Sequence, residues 1–379
     1  MRRLAASVLS ARESIRVSCL KHGFRRSVEL LVPDALKLGF PVKVLGQKGL
    51  KSNDSRRWQS GPHLSVSIGY LRDIFRYLAK KQIHMYRMSS DVAPYSTHPD
   101  MPQFHHQVSE CRDELAALGA EARAQGLRLS FHPSQYVIIN SPDREICRKG
   151  IADLEMQASI LDAMELGPEA VMVIHGGGTY GDVASGMDRW VKSWETLSER
   201  VKRRLVLEND DLRYSAGNVL AIHERTGVKL VFDVQHHHCL NPDQLPLIPT
   251  FRRFLATWPY GVRPKLHFSS PRTEMREVQR RDRKTGKKKT VLMPPIWTGH
   301  ADFNHPFEFI AFMRALDAVE FDVMLEAKAK DLALLRLRQD LLRYAPDVAA
   351  RFGLGDAAAL AVEEEEIEIS PEALGENDE

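Results

Sequence analysis

Cysteine is scarce. The chain of 379 residues has four, Cys19, Cys111, Cys147 and Cys239, and no two stand at CxxC spacing. That excludes a disulfide framework and fits a reducing compartment, so a cytoplasmic location is expected. No uninterrupted apolar run is long enough to cross a bilayer, so no membrane partner is expected. Basic residues are missing from the end of the chain: residues 356–379 carry ten acidic side chains and no Lys or Arg. The net charge of +3 therefore conceals +13 on residues 1–355. A basic body with an acidic tail points to an anionic partner, nucleic acid first. Nothing in the sequence marks an obligate protein partner.

What remains is an ordinary globular composition, 43% hydrophobic and 27% charged, in a chain long enough to bury a large core. Residues 1–35 are rich in Arg, Ser and Ala and read as a poorly ordered N-terminal extension. Glu13 and Glu29 argue against a transit peptide, which is poor in acids. The domain is placed at 36–345 and the acidic tail at 346–379.

Within 36–345, short apolar runs alternate with stretches of helical spacing. Strands are expected near 36–45, 85–91, 127–133, 170–178, 205–211, 229–234, 264–270 and 321–328. Helices are expected over 64–80, 105–124, 142–166, 185–203, 216–226, 249–258 and 306–318, with a last one to about Tyr344. Ser141 and Pro142 suit the N-cap and first position of the third helix. Eight β–α units imply a parallel sheet covered on both faces, as in a (β/α)8 TIM barrel. A doubly wound open sheet is the alternative.

The chemistry sits where these strands end. Val231-Phe-Asp-Val-Gln-His-His-His238 carries Asp233 just past a strand and His236 three residues later, with His237 and His238 adding more nitrogen. The same event recurs: His132, His175, Glu208, His267 and Glu326 each close an apolar run. In a closed barrel such ends ring one mouth, the C-terminal face. In an open sheet the outer pair would be too far apart to share a metal. This set of imidazoles and carboxylates suits two or three divalent ions. Clustered divalent metals are the usual device for phosphoester hydrolysis.

A run of motifs carries a specific likeness: Leu-Gly-Phe-Pro (38–41), Tyr-Arg-Met-Ser-Ser-Asp (86–91), His-Pro-Ser-Gln-Tyr (132–136), His-Gly-Gly (175–177), Tyr-Gly-Asp (180–182), Leu-Glu-Asn-Asp (207–210), Phe-Asp-Val-Gln-His-His (232–237), Lys-Leu-His (265–267), His-Ala-Asp (300–302) and Met-Leu-Glu-Ala-Lys (324–328). In this order they resemble the UV damage endonuclease family, related in fold to endonuclease IV. The resemblance covers about residues 36–340.

It implies a metal-dependent endonuclease that cleaves damaged double-stranded DNA immediately 5′ to UV photoproducts, leaving 3′-hydroxyl and 5′-phosphate ends. The lesions would be pyrimidine dimers, 6-4 photoproducts and abasic sites. Manganese is the implied metal, with magnesium or zinc as alternatives. His132, His175 and Glu208 would hold one ion. Glu208 would bridge to a second, held also by Asp233, His267 and Glu326. His236 and His300 would hold a third, with Asp302 beside them. Lys265 matches a family lysine that can be carboxylated, and so joins Glu208 as a candidate catalytic residue. Gln135 and Tyr136 match side chains that enter the duplex at the lesion. Phe40 stands where the family usually has Tyr, so a DNA contact there lacks its hydroxyl. Val183 stands where Lys is common.

The run 271–296 is read as a basic insertion on the catalytic face, a loop gripping phosphates through Arg280, Arg281, Lys287, Lys288 and Lys289, with Arg272, Arg276, Arg283 and Lys284 adding charge. Two other functions fit parts of the pattern. A metal-dependent sugar isomerase of the same barrel type would need neither Gln135-Tyr136 nor the insertion. A non-catalytic damage-binding protein would not need the full ligand set.

Overall fold

Alternation of inward and outward side chains along eight short strands builds the molecule. The structure is a computed structural model and describes residues 35–282 and 285–355. Seven strands precede the insertion: β1 (Leu38–Pro41), β2 (Met85–Arg87), β3 (Arg128–Phe131), β4 (Val171–His175), β5 (Leu205–Glu208), β6 (Lys229–Val231) and β7 (Lys265–Phe268). The insertion adds β8 (Pro271–Arg272), β9 (Arg276–Arg281), β10 (Lys288–Met293) and β11 (Ile296–His300); the eighth barrel strand is β12 (Asp322–Leu325).

β1 to β6 pair in chain order, β12 joins β1, and β7 joins β12, all in parallel. The two free edges, β6 and β7, meet at a single bridge between Asp233 and His267. The His267 amide donates to the Phe232 carbonyl at 3.0 Å. The sheet is thus a nearly closed (β/α)8 barrel, and its seam runs between two candidate metal ligands.

One side of each strand faces the helices. Leu129, Phe131, Met172, Ile174, Leu205, Leu207, Leu230, Phe232, Leu266, Phe268, Val323 and Leu325 join the helices' apolar faces in the main core. The helix Leu64–Lys80 shows how a helix answers: Leu64, Ile68, Leu71, Phe75 and Leu78 make one buried stripe. The alternate strand residues point inward and stack in layers. Arg128 and Asp322 form a buried ion pair at 2.7 Å near the strands' N-terminal ends. Lys265 Nζ donates to Ser130 Oγ at 3.2 Å one layer up. Val171, Val173, Val206 and Val231 pack together with Trp258. The next inward positions toward the C-terminal ends are His132, His175, Glu208, Asp233, His267 and Glu326.

The ion pair makes a stability test. Arg128→Met leaves Asp322 buried beside the Lys37 amide, at 2.9 Å, and Arg263, at 3.6 Å. Breaking a buried pair from one side should cost about 3 kcal/mol of unfolding free energy in urea titration. A loss below about 1 kcal/mol would mean that Arg263 takes over the charge.

Several boundaries differ from expectation. The third helix starts at Arg144, because the Asp143 carboxylate, not Ser141, caps it by accepting from the Glu145 amide at 2.8 Å. The expected helix 185–203 is two, Val183–Thr196 and Glu199–Arg204, and Ser198 caps the second. The barrel domain does not end at 345. A helix over Pro346–Arg351 buries Val348 and Ala349, and the Arg351 carbonyl accepts from the Leu36 amide at 2.8 Å. The insertion 271–296 is not a plain loop either. β9 and β10 pair antiparallel over six residues each, and β11 returns to pair with β8. The extension over 1–34, Arg283, Lys284 and the acidic residues 356–379 lie outside the described residues. Among those described, no helix is long and apolar enough to cross a membrane.

Candidate metal centre and its surface

Asp233 follows β6 and caps the short helix Val234–Cys239, accepting from the His236 amide at 2.7 Å. An Asp at an N-cap is a local preference, and here it also turns His236 inward. Successive residues of a helix point about 100° apart, so the histidine run divides. His236 faces the centre. His237 Nε2 bonds the Leu245 carbonyl at 3.0 Å and its ring packs on Phe232. His238 is exposed. The expected extra nitrogen from His237 and His238 is therefore not at the site.

Three groups of candidate ligand atoms lie within 4.8 Å of one another: His132, His175 and Glu208; Glu208, Asp233, His267 and Glu326; and His132, His267 and Glu326. Glu208 is fully buried and faces two ways. Its Oε2 is 3.1 Å from His132 Nε2 and 3.8 Å from His175 Nε2. Its Oε1 is 2.7 Å from His267 Nδ1 and 3.6 Å from His236 Nδ1. His236 and His300 stand side by side, ring centroids 5.9 Å apart. His236 Nδ1 bonds the Asn209 carbonyl at 3.0 Å and His300 Nδ1 the Glu326 carbonyl at 2.8 Å. Each thereby keeps Nε2 for another partner, the usual arrangement of a metal-binding imidazole. Asp302 Oδ1 is 2.5 Å from Arg276 Nη2, and Asp302, like His236 and His300, belongs to none of the three groups.

The electrostatics suit cations. Burial and the Glu326 charge raise Glu208 well above the usual carboxylate range. Burial raises Asp233, opposed by His236. Burial lowers His132 to about 4, helped by Arg87, and lowers His175 to about 3, helped by His132 and His236. Burial lowers His267 as well. Burial also opposes the charge on His236, yet Asp233, Glu208 and Glu326 raise it to about 9. His132, His175 and His267 are thus held as neutral imidazoles, the ligand form. The Asp233 Oδ2 and His175 Nδ1 atoms are buried without a hydrogen-bond partner. Buried polar atoms are nearly always paired. Asp233 Oδ2, an unpaired oxygen in a cluster of acceptors, fits a divalent cation.

Three residues of the site lay inside the quoted motifs without an assigned role. Arg87 Nη2 donates to His267 Nε2 at 3.0 Å and also bonds Glu326. Although burial would raise Glu326, Arg87 and His267 hold it well below the usual range. Asn209 bonds the Asp233 amide and carbonyl, at 2.9 and 3.0 Å. Gln235 is the third, described below. Arg87 ends β2 as His132 and His175 end β3 and β4; an Arg at a strand end was the available signal.

Around the mouth, Gln135 and Tyr136 are exposed, Tyr136 by 75%. Arg280, Arg281, Lys287, Lys288 and Lys289 are exposed on the β9–β10 ribbon. Arg272 is buried, so it does not add to that surface. Phe40 cannot touch DNA. Its side chain is fully buried, edge-on to Tyr86 at 5.5 Å, because it sits on the helix-facing side of β1.

The fold and this cluster define a (β/α)8 barrel whose mouth carries groups that could hold metal ions. A family model described as UV-endonuclease UvdE matches residues 64–350. The chain is 33% identical to a UV DNA damage endonuclease of Bacillus velezensis, over 76% of this chain and 85% of that one. It is 32% identical to the protein of the same name from Bacillus pumilus, over 72% and 79%. Among solved structures it matches SacUVDE with a TM-score of 0.66 and 26% identity, covering 81% of this chain and 98% of that one. The chain belongs to the UV-endonuclease UvdE family.

Proposed function

We propose that the chain is a metal-dependent endonuclease that incises damaged duplex DNA immediately 5′ to UV photoproducts, leaving 3′-hydroxyl and 5′-phosphate ends. Pyrimidine dimers and 6-4 photoproducts are the intended lesions, with abasic sites as further substrates. The observation that carries this reading is the two-sided Glu208, whose oxygens address two separate sets of imidazoles and carboxylates. His132, His175 and Glu208 would hold one ion. Glu208, Asp233, His267 and Glu326 would hold a second, and His236 with His300 a third. The mixed nitrogen and oxygen donors suit manganese, and can take zinc or magnesium. Such ions polarise phosphoryl oxygens, lower the pKa of water and stabilise a leaving oxygen.

The chain's own residues do the rest. Arg87 orients Glu326 and His267. Lys265 is buried, and burial together with Arg87 and Arg128 lowers it well below the usual amine range. That shift favours the neutral amine, the form that can be carboxylated, as the family resemblance implies. Gln135 and Tyr136 fill the space left by displaced bases. Displacement costs least where pairing is already weakened, one physical source of lesion preference.

The ribbon supplies grip. Neutralising Lys287, Lys288 and Lys289 should weaken binding to damaged and undamaged duplex alike. If all three meet phosphates, the slope of log K against log salt should fall by about 2.7, at roughly 0.9 per contact. An unchanged slope would mean that these side chains stay solvated.

The reading as a whole is tested with irradiated and unirradiated plasmid in Mn²⁺. Nicking of irradiated plasmid alone is expected. Binding without nicking would leave a damage-binding protein, and indifference to DNA would overturn the proposal.

A further inference from the structure

β11 does not pair evenly with β8. Ile296 faces Arg272 and His300 faces Pro271, so the residues between them, Trp297, Thr298 and Gly299, bulge from the ribbon. The bulge is held. Gln235 Nε2 donates to the carbonyls of Trp297 and Gly299, both at 3.1 Å. Its Oε1 accepts from Ser269 Oγ at 2.6 Å. Gln235 itself is only 3% exposed, so its amide has little other use. Cys239 Sγ adds a third contact to the bulge, 3.8 Å from the Trp297 carbonyl. The backbone of Trp297 is fixed, yet the residue is 62% exposed, more than the chain's other four tryptophans.

Its place is specific. It stands three residues before His300, and its backbone is held by the neighbour of His236. It is therefore at the rim of the metal mouth. On its other side the chain runs back into the basic ribbon. A backbone-anchored, solvent-facing indole on the strand that returns from the basic ribbon has the character of a stacking platform for nucleobases. There cations follow the phosphates while an aromatic face takes a base, whatever its sequence.

We propose that Trp297 is a nucleobase-stacking side chain of the DNA-binding mouth, presented by the bulge that Gln235 clamps. The proposal rests on the endonuclease reading and adds a third base-contacting residue to Gln135 and Tyr136, on the opposite arc of strand ends. Trp297 contacts the base face and no phosphate. Its loss therefore weakens affinity without changing the charge neutralised on binding.

The test uses a short duplex carrying one pyrimidine dimer, in Mn²⁺, with the full chain. Trp297→Ala should raise KM about tenfold or more, since losing one base–aromatic stack costs that order of affinity. The salt slope of binding should match wild type, unlike that of the lysine variants. Trp297→Phe should recover most of the loss, and Trp297→Leu should not. Adding the duplex should quench tryptophan emission in the wild type, and this part of the quench should vanish in Trp297→Phe. A wild-type KM in Trp297→Ala overturns the proposal. So does rescue by Leu equal to that by Phe, which would make the residue an apolar filler. Failure of the wild type to nick the duplex at all counts against the endonuclease reading instead, so the two failures are separable.

Discussion

Glu208→Gln should abolish nicking of irradiated DNA while leaving damaged duplex bound. Gln keeps the shape of the side chain and one oxygen. It loses the negative charge and one of the two anionic donors that reach His132 on one side and His267 on the other. A bridge is the one position where a single change disturbs two ions. Losing several kcal/mol of transition-state stabilisation corresponds to roughly a thousandfold in rate or more. Bound metal, measured by elemental analysis, should fall with it. Binding of damaged duplex should persist, because Glu208 is buried and the DNA-facing groups proposed here are on loops and the ribbon. Nicking at near the wild-type rate would show that the metal assignment is wrong.

The second large effect is on lesion choice. Replacing both Gln135 and Tyr136 with Ala should lower the ratio of damaged to undamaged binding by roughly ten- to a hundredfold, from the loss of about 1–3 kcal/mol per stacked base. Metal content should not change. Both side chains are exposed and lie past His132, the candidate ligand that follows β3. A competition assay with labelled dimer-containing duplex reads the ratio directly. An unchanged ratio would remove the two residues from lesion recognition and leave it to the ribbon or to Trp297.

How far the sequence spoke depended on the kind of signal. The eight strands and their parallel order were legible because short apolar runs alternate with stretches of helical spacing. Six residues of the cluster were legible because each closes such a run. The helix over Ala216–Thr226 was read to the residue, since Ser215 caps it and Gly227 ends it in a left-handed turn. Tertiary contacts decided the rest. Phe40 looked like a surface position through its likeness to a tyrosine, but the side of the strand it occupies is packed by helices. His237 and His238 looked like ligands until a short helix turned them away from His236. The insertion looked like a plain loop because Lys and Arg dominate it. Yet Val278 faces Val291 across the ribbon, and that pairing is long-range information. Arg87, Asn209 and Gln235 were quoted within motifs, but only geometry says which atoms they hold.

The most direct measurement maps the cut. A duplex with a single pyrimidine dimer, labelled at each end in turn, is incubated with the protein in Mn²⁺ and in chelator. The account predicts one incision, at the phosphodiester immediately 5′ to the dimer. The ends should be a 3′-hydroxyl, which a polymerase can extend, and a 5′-phosphate. Chelator should abolish the product and added Mn²⁺ restore it. Incision elsewhere, other end groups, or the same product in chelator would contradict it.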